Sequence, residues 1–311
     1  MENRPRRWGW ILAGICLLLA VLLVGMVLGW LFTTRSFGGR HGDLEERVEH
    51  WVEEAVADSG VAQILGPRVS YPYSDQYQKG DGPINGNVKR LKLHWISGTV
   101  QITPWDGDHV VLEETGTERS EELLRWRLSD GVLDVQYCEP GTYQDLPAKD
   151  LTVMIPTDPA GSVRVMVETI SADCEVTETE LRSLDFESTS GNLDAEGSFG
   201  EFSAGTVSGE ITFLGQTVDA EVETTSGDVD LTFTETPDEL TVESVSGDLT
   251  LSLDGGRGFR MEYETVSGDL NGNFPLERRD DVYLYLPEGG KATAEFDVET
   301  VSGDVNLQRV G

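Results

Sequence analysis

Glu264-Thr265-Val266-Ser267-Gly268-Asp269 and Glu299-Thr300-Val301-Ser302-Gly303-Asp304 are the same six residues written twice, and variants of them recur through the C-terminal half of the chain. The variants are Thr169-Ile170-Ser171-Ala172-Asp173, Ser188-Thr189-Ser190-Gly191-Asn192, Thr206-Val207-Ser208-Gly209-Glu210, Thr224-Thr225-Ser226-Gly227-Asp228 and Ser244-Val245-Ser246-Gly247-Asp248. Counted between second serines, the steps are 19, 18, 18, 20 and 21 residues, followed by one of 35. A loosely kept period near twenty marks a solenoid, so function has to be sought on a repeated surface.

Outward from each phrase the apolar residues alternate. Leu240 and Val242 precede Gly247, with Leu249, Leu251 and Leu253 after it; Val218, Ala220 and Val222 precede Gly227, with Val229, Leu231 and Phe233 after it. Phe259, Met261 and Tyr263 lead into Gly268 in the same way. Period two specifies strands rather than helices. A second, irregular turn is expected between phrases, at 197–200, Gly215, Pro237-Asp238 and 255–258, giving two strands and two turns per coil. The repeated glycine is expected to hold positive φ at a tight corner, with Asp or Asn bonding nearby backbone. Stacking would align the Ser and Thr hydroxyls in columns that pass hydrogen bonds between coils.

The step of 35 suggests a degenerate coil, because 282–287 resembles 151–156 and in each the proline precedes a glutamate by the same interval, Pro156 to Glu168 and Pro287 to Glu299. The phrase also occurs early, as Trp95-Ile96-Ser97-Gly98-Thr99-Val100, so the sheet is expected to begin near Val88. Strand-like runs at 110–113, 123–128 and 132–137 would form a wider N-terminal end.

The Ile96-Ser97-Gly98-Thr99-Val100 start and the Glu-Thr-Val-Ser-Gly-Asp copies at Glu264 and Glu299 resemble a family of bacterial putative adhesins of unknown function, whose domain is a β-solenoid called a toast rack. The resemblance covers residues 88–309. It implies an extracytoplasmic, surface or envelope-associated domain without a known catalytic site.

The first forty residues are different material. Arg4, Arg6 and Arg7 precede an apolar run from Trp8 to Phe32, long enough to cross a bilayer, with Trp8, Trp10 and Trp30 at interfacial positions. A cleavable signal peptide would have a shorter apolar core and a small-residue site, which Leu31-Phe32-Thr33-Thr34-Arg35 does not offer. The arginine bias, opposed by Arg35 and Arg40, puts the N-terminus in the cytoplasm and the large domain outside. Leu44, Val48, Trp51, Val52 and Val56 recur at helical spacing among glutamates, an amphipathic juxtamembrane helix. Its acidic face suits packing on the solenoid or a second copy better than lying on anionic lipid.

The chain carries 56 acids against 23 Lys plus Arg, a net charge of −33. One acid and five arginines fall up to His41, leaving 55 acids against 18 basic residues beyond, a net of −37. Nucleic acid is excluded as a partner for such a surface. Cys16 lies in the apolar run, and Cys138 and Cys174 form either one disulfide or two unpaired thiols.

The sharpest site candidate is an acidic ridge: Glu168, Glu187, Glu223, Glu243, Glu264 and Glu299 in one column and Asp173, Asp228, Asp248, Asp269 and Asp304 in another. Stacked carboxylates suit calcium or a cationic partner, but equally describe a solvated face, and Ser-Gly-Asp does not match the Gly-Gly-x-Gly-x-Asp of calcium β-rolls. Trp95, Trp105, Trp126, Tyr71, Tyr73 and Tyr77 mark the N-terminal part as the place to seek a groove. No phosphate loop, Cys-x-x-Cys, His-Glu-x-x-His or nucleophile elbow occurs.

The sequence thus predicts an all-β, single-chain β-solenoid with Ser-Gly-Asp turns, built as a cytoplasmic tail (1–7), transmembrane helix (8–32), juxtamembrane helix (43–58), linker (59–87) and solenoid (88–309). Its turn residues are Ser97-Gly98, Ser190-Gly191, Ser208-Gly209, Ser226-Gly227-Asp228, Ser246-Gly247-Asp248, Ser267-Gly268-Asp269 and Ser302-Gly303-Asp304. No catalytic, cofactor or metal residue is assigned. The expected role is a non-enzymatic, single-pass, extracytoplasmic module for adhesion, binding or envelope sensing, with a surface ligand or a membrane protein as partner. The alternative is a cell-surface polysaccharide hydrolase or lyase, and a soluble scaffold follows if the anchor is cleaved.

Overall fold

A computed structural model describes residues 68–69, 76–143, 146–157, 161–279 and 282–310. The expected transmembrane and juxtamembrane helices lie outside the described residues. Among those residues there is no α-helix, and none long and apolar enough to cross a membrane. A two-stranded antiparallel piece, Arg68–Val69 with Gly141–Thr142, forms a separate small unit; everything below concerns the other.

That unit is a stack of parallel strands in two runs. In the first run Arg164–Thr169, the second halves of Asp173–Ser188, Leu193–Thr206 and Ile211–Thr224, and then Glu239–Ser244 pair in order. In the second run the first halves of the same long strands pair, followed by Val229–Phe233 and Leu249–Leu253. Period-two alternation aims one side chain of each pair inward, and Leu184, Phe186, Phe202, Val222, Leu231, Val242 and Leu251 are buried between the runs. Aromatic rings continue from coil to coil, with Phe202 and Phe213 centroids 4.7 Å apart and Phe213 and Phe233 5.4 Å apart.

The expected second turn exists in only part of the stack. Asp173–Ser188, Leu193–Thr206 and Ile211–Thr224 are single strands that bend around the far edge without a loop, with an irregular register between Val176 and Thr179. Gly197 and Gly215 lie inside them, and a Cβ at Gly215 would come 1.8 Å from Gly197 O. These glycines therefore let two backbones approach at the bend rather than forming a turn.

Spatial order departs from chain order at both ends. The coil Arg90–Trp95 with Gly98–Trp105 is not outermost: it lies between Arg164–Thr169 and Val132–Gln136 in one run, and between Asp173–Ser188 and Lys149–Pro156 in the other. At the far end the last coil, Ala292–Thr300 with Val305–Arg309, inserts between Glu239–Leu253 and Gly258–Gly272. The degenerate coil expected in the 35-residue step is absent. Val282–Tyr285 instead runs antiparallel to Gly258–Thr265 and carries Glu277–Arg279 as a short outer strand.

The N-terminal end is closed in the same manner. Val110–Thr115 and Arg125–Ser129 pair antiparallel with the outermost strands, and Gly82–Ile84 and Gln78–Lys79 pair antiparallel with those. Residues 78–84, read from sequence as linker, are thus part of the sheet. Short outer strands, carrying Pro83 or charged side chains, blunt both ends against further pairing.

Candidate functional site: a carboxylate face beside a hydrogen-bonded edge

At the Ser-Gly edge the phrases from Thr169 onward are hydrogen-bonded from coil to coil, and Ser97 Oγ lies 3.4 Å from Tyr137 Oη instead. The first hydroxyl of the phrase is buried at Thr169, Ser188, Thr206, Thr224, Ser244 and Thr300, and exposed at Thr265. Ser188, Thr206, Thr224 and Ser244 accept the amide N–H of Gly191, Gly209, Gly227 and Gly247 at 2.7–3.1 Å. Thr265 does the same for Gly268 at 2.8 Å, and Thr300 Oγ1 donates to Gly303 O at 3.1 Å. The second serine reaches across to the neighbouring coil: Ser190, Ser208, Ser226, Ser246, Ser302 and Ser267 donate to Ile170, Thr189, Val207, Thr225, Val245 and Val301 carbonyls at 3.1–3.4 Å.

The carboxylates after the glycine are ladder groups as well. Asp173 Oδ1 accepts Asn192 N–H, and Asp228, Asp248 and Asp304 accept the N–H of Asp248, Asp304 and Asp269, all at 2.9–3.0 Å. This order, 228 to 248 to 304 to 269, repeats the inversion at the C-terminal end.

The glycine's expected reason is overturned. Gly191, Gly209, Gly227, Gly247, Gly268 and Gly303 are not in the positive-φ region; only Gly98 of this set is, at +105°. What excludes a side chain is proximity, since a Cβ at Gly227 or Gly247 would fall 1.7 or 1.8 Å from the carbonyl oxygen of the preceding coil's glycine.

The glutamate column lies on the outer side of the first run, half-buried from Glu168 to Glu243 and at Glu299, and exposed at Glu264. In register along the first run stand Gln136, His94, Glu168, Glu187, Gly205, Glu223, Glu243, Glu299 and Glu264, and two residues earlier stand Asp185, Glu221 and Asp297. No Lys, Arg or His occurs between Arg182 and Arg257. Glu243 is the most affected: partial burial, then the charges of Glu223, Glu299, Asp297 and Glu221, push its carboxyl up to about 7. Among the described residues no three His, Cys, Asp or Glu side chains are grouped to hold a metal ion.

His94 takes the place of a glutamate at the N-terminal end of this column. Its Nδ1 lies 2.6 Å from Glu168 Oε2 and its Nε2 3.6 Å from Asp134 Oδ1, and Tyr77 donates to Asp134 Oδ2 at 2.6 Å. Burial pulls the imidazole down, but the hydrogen bond and charge of Glu168, with the charge of Asp134, outweigh it and hold His94 above its usual range. The hydrogen bond from His94 correspondingly lowers Glu168.

Beneath the same end lies a group the sequence reading missed. Lys149 is fully buried, and its ammonium donates to Glu114 Oε1 and Glu122 O at 2.5 Å and to Tyr137 O, beneath the Trp95 and Tyr137 rings. The signal was present: Lys149 shares the inward phase of Leu151, Val153 and Ile155. Three acceptors for three N–H groups describe a satisfied buried ion pair.

The tryptophans do not make a groove. Trp95 is in the core, bonded to Lys149 O, and Trp105 and Trp126 are half-buried, each donating its indole N–H to a nearby carbonyl, His109 O and Gly80 O. Tyr71 and Tyr73 lie outside the described residues. A cavity of about 350 Å³ sits instead near the C-terminal end, lined by Asp238, Glu239, Arg260, Leu284, Thr293 and Glu295 among others. Cys138 and Cys174 are buried and are not joined in a disulfide, and burial raises the Cys174 thiol.

A family model described as Toastrack DUF4097 matches residues 91–308. No curated protein matches the chain. Among solved structures, a "putative adhesin" from Bacteroides fragilis NCTC 9343 is similar at 12% identity and a TM-score of 0.49, covering 74% of this chain and 96% of that one. A "putative cell adhesion protein" from Clostridium sporogenes ATCC 15579 is similar at 14% identity and a TM-score of 0.35, covering 75% and 100%. A "putative lipid binding protein" from Parabacteroides distasonis ATCC 8503 stands at 11% and 0.36, covering 75% and 97%.

Proposed function

The chain belongs to the Toastrack DUF4097 family, and we propose that it is a non-enzymatic binding module, tethered by residues 8–32 with its sheet outside the membrane. One observation supports the binding reading above the others. The repeated hydroxyls, glycines and aspartates are used in holding coil to coil, whereas the half-buried glutamate column concentrates carboxylates on the outer side of the first run, with no basic residue in the chain between Arg182 and Arg257. Such a face attracts cationic surfaces and repels anionic ones. Adhesion and envelope sensing are the two uses an anchored module of this kind serves, and the short cytoplasmic tail requires a membrane partner for any inward signal.

The tether is tested by protease treatment of cells carrying a C-terminal tag. Digestion on intact cells is expected; protection until permeabilisation would reverse the orientation and redirect the search to cytoplasmic partners. Glu243 alone gives the polysaccharide-cleaving alternative a foothold, because a carboxylic acid held near neutrality amid carboxylates is the arrangement general acids use. Glycan cleavage by the wild-type chain that Glu243→Gln abolishes would move the protein to that class.

A further inference from the structure

The last coil occupies a slot whose two walls are built from the same pattern as itself. Ala292–Thr300 pairs in parallel with Glu239–Ser244 on one side and Gly258–Thr265 on the other, and Val305–Arg309 pairs with Leu249–Leu253 and with Leu270–Gly272. Glu299 to Asp304 and Glu264 to Asp269 are identical in sequence. The slot is formed by residues that all precede position 273, so its occupant follows both walls in the chain. It is joined to them by one short connection, Leu286-Pro287-Glu288-Gly289-Gly290-Lys291, in which Gly289 has φ +71° and open space around it.

We propose that Ala292–Arg309 is an exchangeable coil, and that the slot between Glu239–Leu253 and Gly258–Gly272 accepts this coil from a second copy of the chain. Exchange preserves each contact the coil makes: Phe296 stacks on Phe259 at 4.7 Å, Asp304 N–H meets Asp248 Oδ1 at 3.0 Å, and Ser302 Oγ meets Val245 O at 3.2 Å, whichever copy supplies the coil. The cost is then confined to the connection and to the loss of freedom on joining two copies, as in domain swapping. Backbone pairing on both sides supplies affinity, and inward Ala294, Phe296, Val298, Val305 and Leu307 fix the register. Copies held in one membrane meet at high effective concentration, which favours the exchange.

The test uses full-length chains with two different tags, co-expressed, one carrying Thr241→Cys and the other Asp297→Cys. These positions are register neighbours on the outer face. A disulfide joining the two tags is expected at no less than tenfold the level given by Glu221→Cys with Thr241→Cys on separate copies, neighbours in strands that the proposal does not exchange. Thr241→Cys and Asp297→Cys placed in one copy report whether the strands pair as described. Efficient closure within that copy, with no tag-to-tag link above the control, would overturn the exchange; failure of the pair to close either within one copy or between copies would overturn the slot itself. Deleting Gly289 and Gly290 hinders return of the coil to its own slot and is expected to raise the intermolecular share about threefold. An unchanged share would remove the hinge from the proposal.

Discussion

Between Asp173 and Leu253 the coils repeat two bonds, hydroxyl to amide and serine to carbonyl, and several add a third from an Asp or Asn side chain to backbone N–H. At the N-terminal end a single ammonium, Lys149, gathers Glu114, Glu122 and Tyr137 from strands and loops that are distant in sequence. The middle spreads its stability over many equal, partly exposed bonds, each contributing about 1 kcal/mol. The end concentrates it in one buried pair whose halves cannot be separated cheaply. Damage of the same chemical size should therefore matter far more at the end than in the middle.

Lys149→Met is the largest expected break. It leaves Glu114, whose side chain is only 2% exposed, without its cation, and should cost about 3–5 kcal/mol in denaturant unfolding. Replacing one second serine in the middle, Ser226→Ala, should cost about 1 kcal/mol at most. Equal losses from the two variants would end the contrast between the regions.

Next in size is a contrast between two glycines of the middle. Gly247→Ala places a methyl 1.8 Å from Gly227 O and must force the coils apart, at about 2–3 kcal/mol. Gly205→Ala meets only Phe186 O at 3.9 Å, so its melting temperature should stay within a degree or two of wild type. A tolerated Gly247→Ala would show that stacking distance is not what selects glycine at the turn.

Much of the middle was legible because its signals are local. Alternation at Leu240, Val242, Leu249 and Leu251 gives strands, and the recurring turn gives the columns. The order of coils at the ends was not, because a phrase such as Glu-Thr-Val-Ser-Gly-Asp offers the same register to any neighbour; two identical copies cannot say which lies outside the other. The role of glycine was misread for a related reason, since φ belongs to one residue whereas a 1.8 Å approach depends on the next coil. His94 could have been placed from the page: Trp95-Ile96-Ser97-Gly98 is a copy of the phrase, and the residue before its first position is where every other copy but the one at Gly205 carries glutamate. Lys149 needed a partner 35 residues away, and only its inward phase hinted at one.

A smaller effect separates the ladder aspartates from the column glutamates. Asp248→Ala removes the acceptor for Asp304 N–H and should cost about 1 kcal/mol, while Asp248→Asn keeps an oxygen there and should cost less than half as much. If Asn and Ala are equally harmful, the carboxylate charge rather than the hydrogen bond matters at this edge.

The smallest expected effect is a pH dependence shared by the two regions. Glu243 in the middle binds its proton more tightly when folded, with its carboxyl at about 7 against an ordinary value of 4.5. The folded state then holds more protons than the unfolded one across that interval, so stability falls as pH rises through it. His94 at the end is also raised when folded; its contribution is complete below the ordinary imidazole range near 6.5 and is lost as pH climbs through the folded value. Glu168 and Glu122 are lowered, titrate below this window and add a constant. The melting temperature is therefore expected to be higher at pH 5.5 than at pH 8, by a few degrees at most after solvent screening. Glu243→Gln should flatten the acid side of that curve and His94→Gln the side nearer neutrality. A melting temperature that rises with pH in the wild type would mean that the outward carboxylates do not repel one another when folded, and the contrast between a crowded middle face and a paired end would have to be given up.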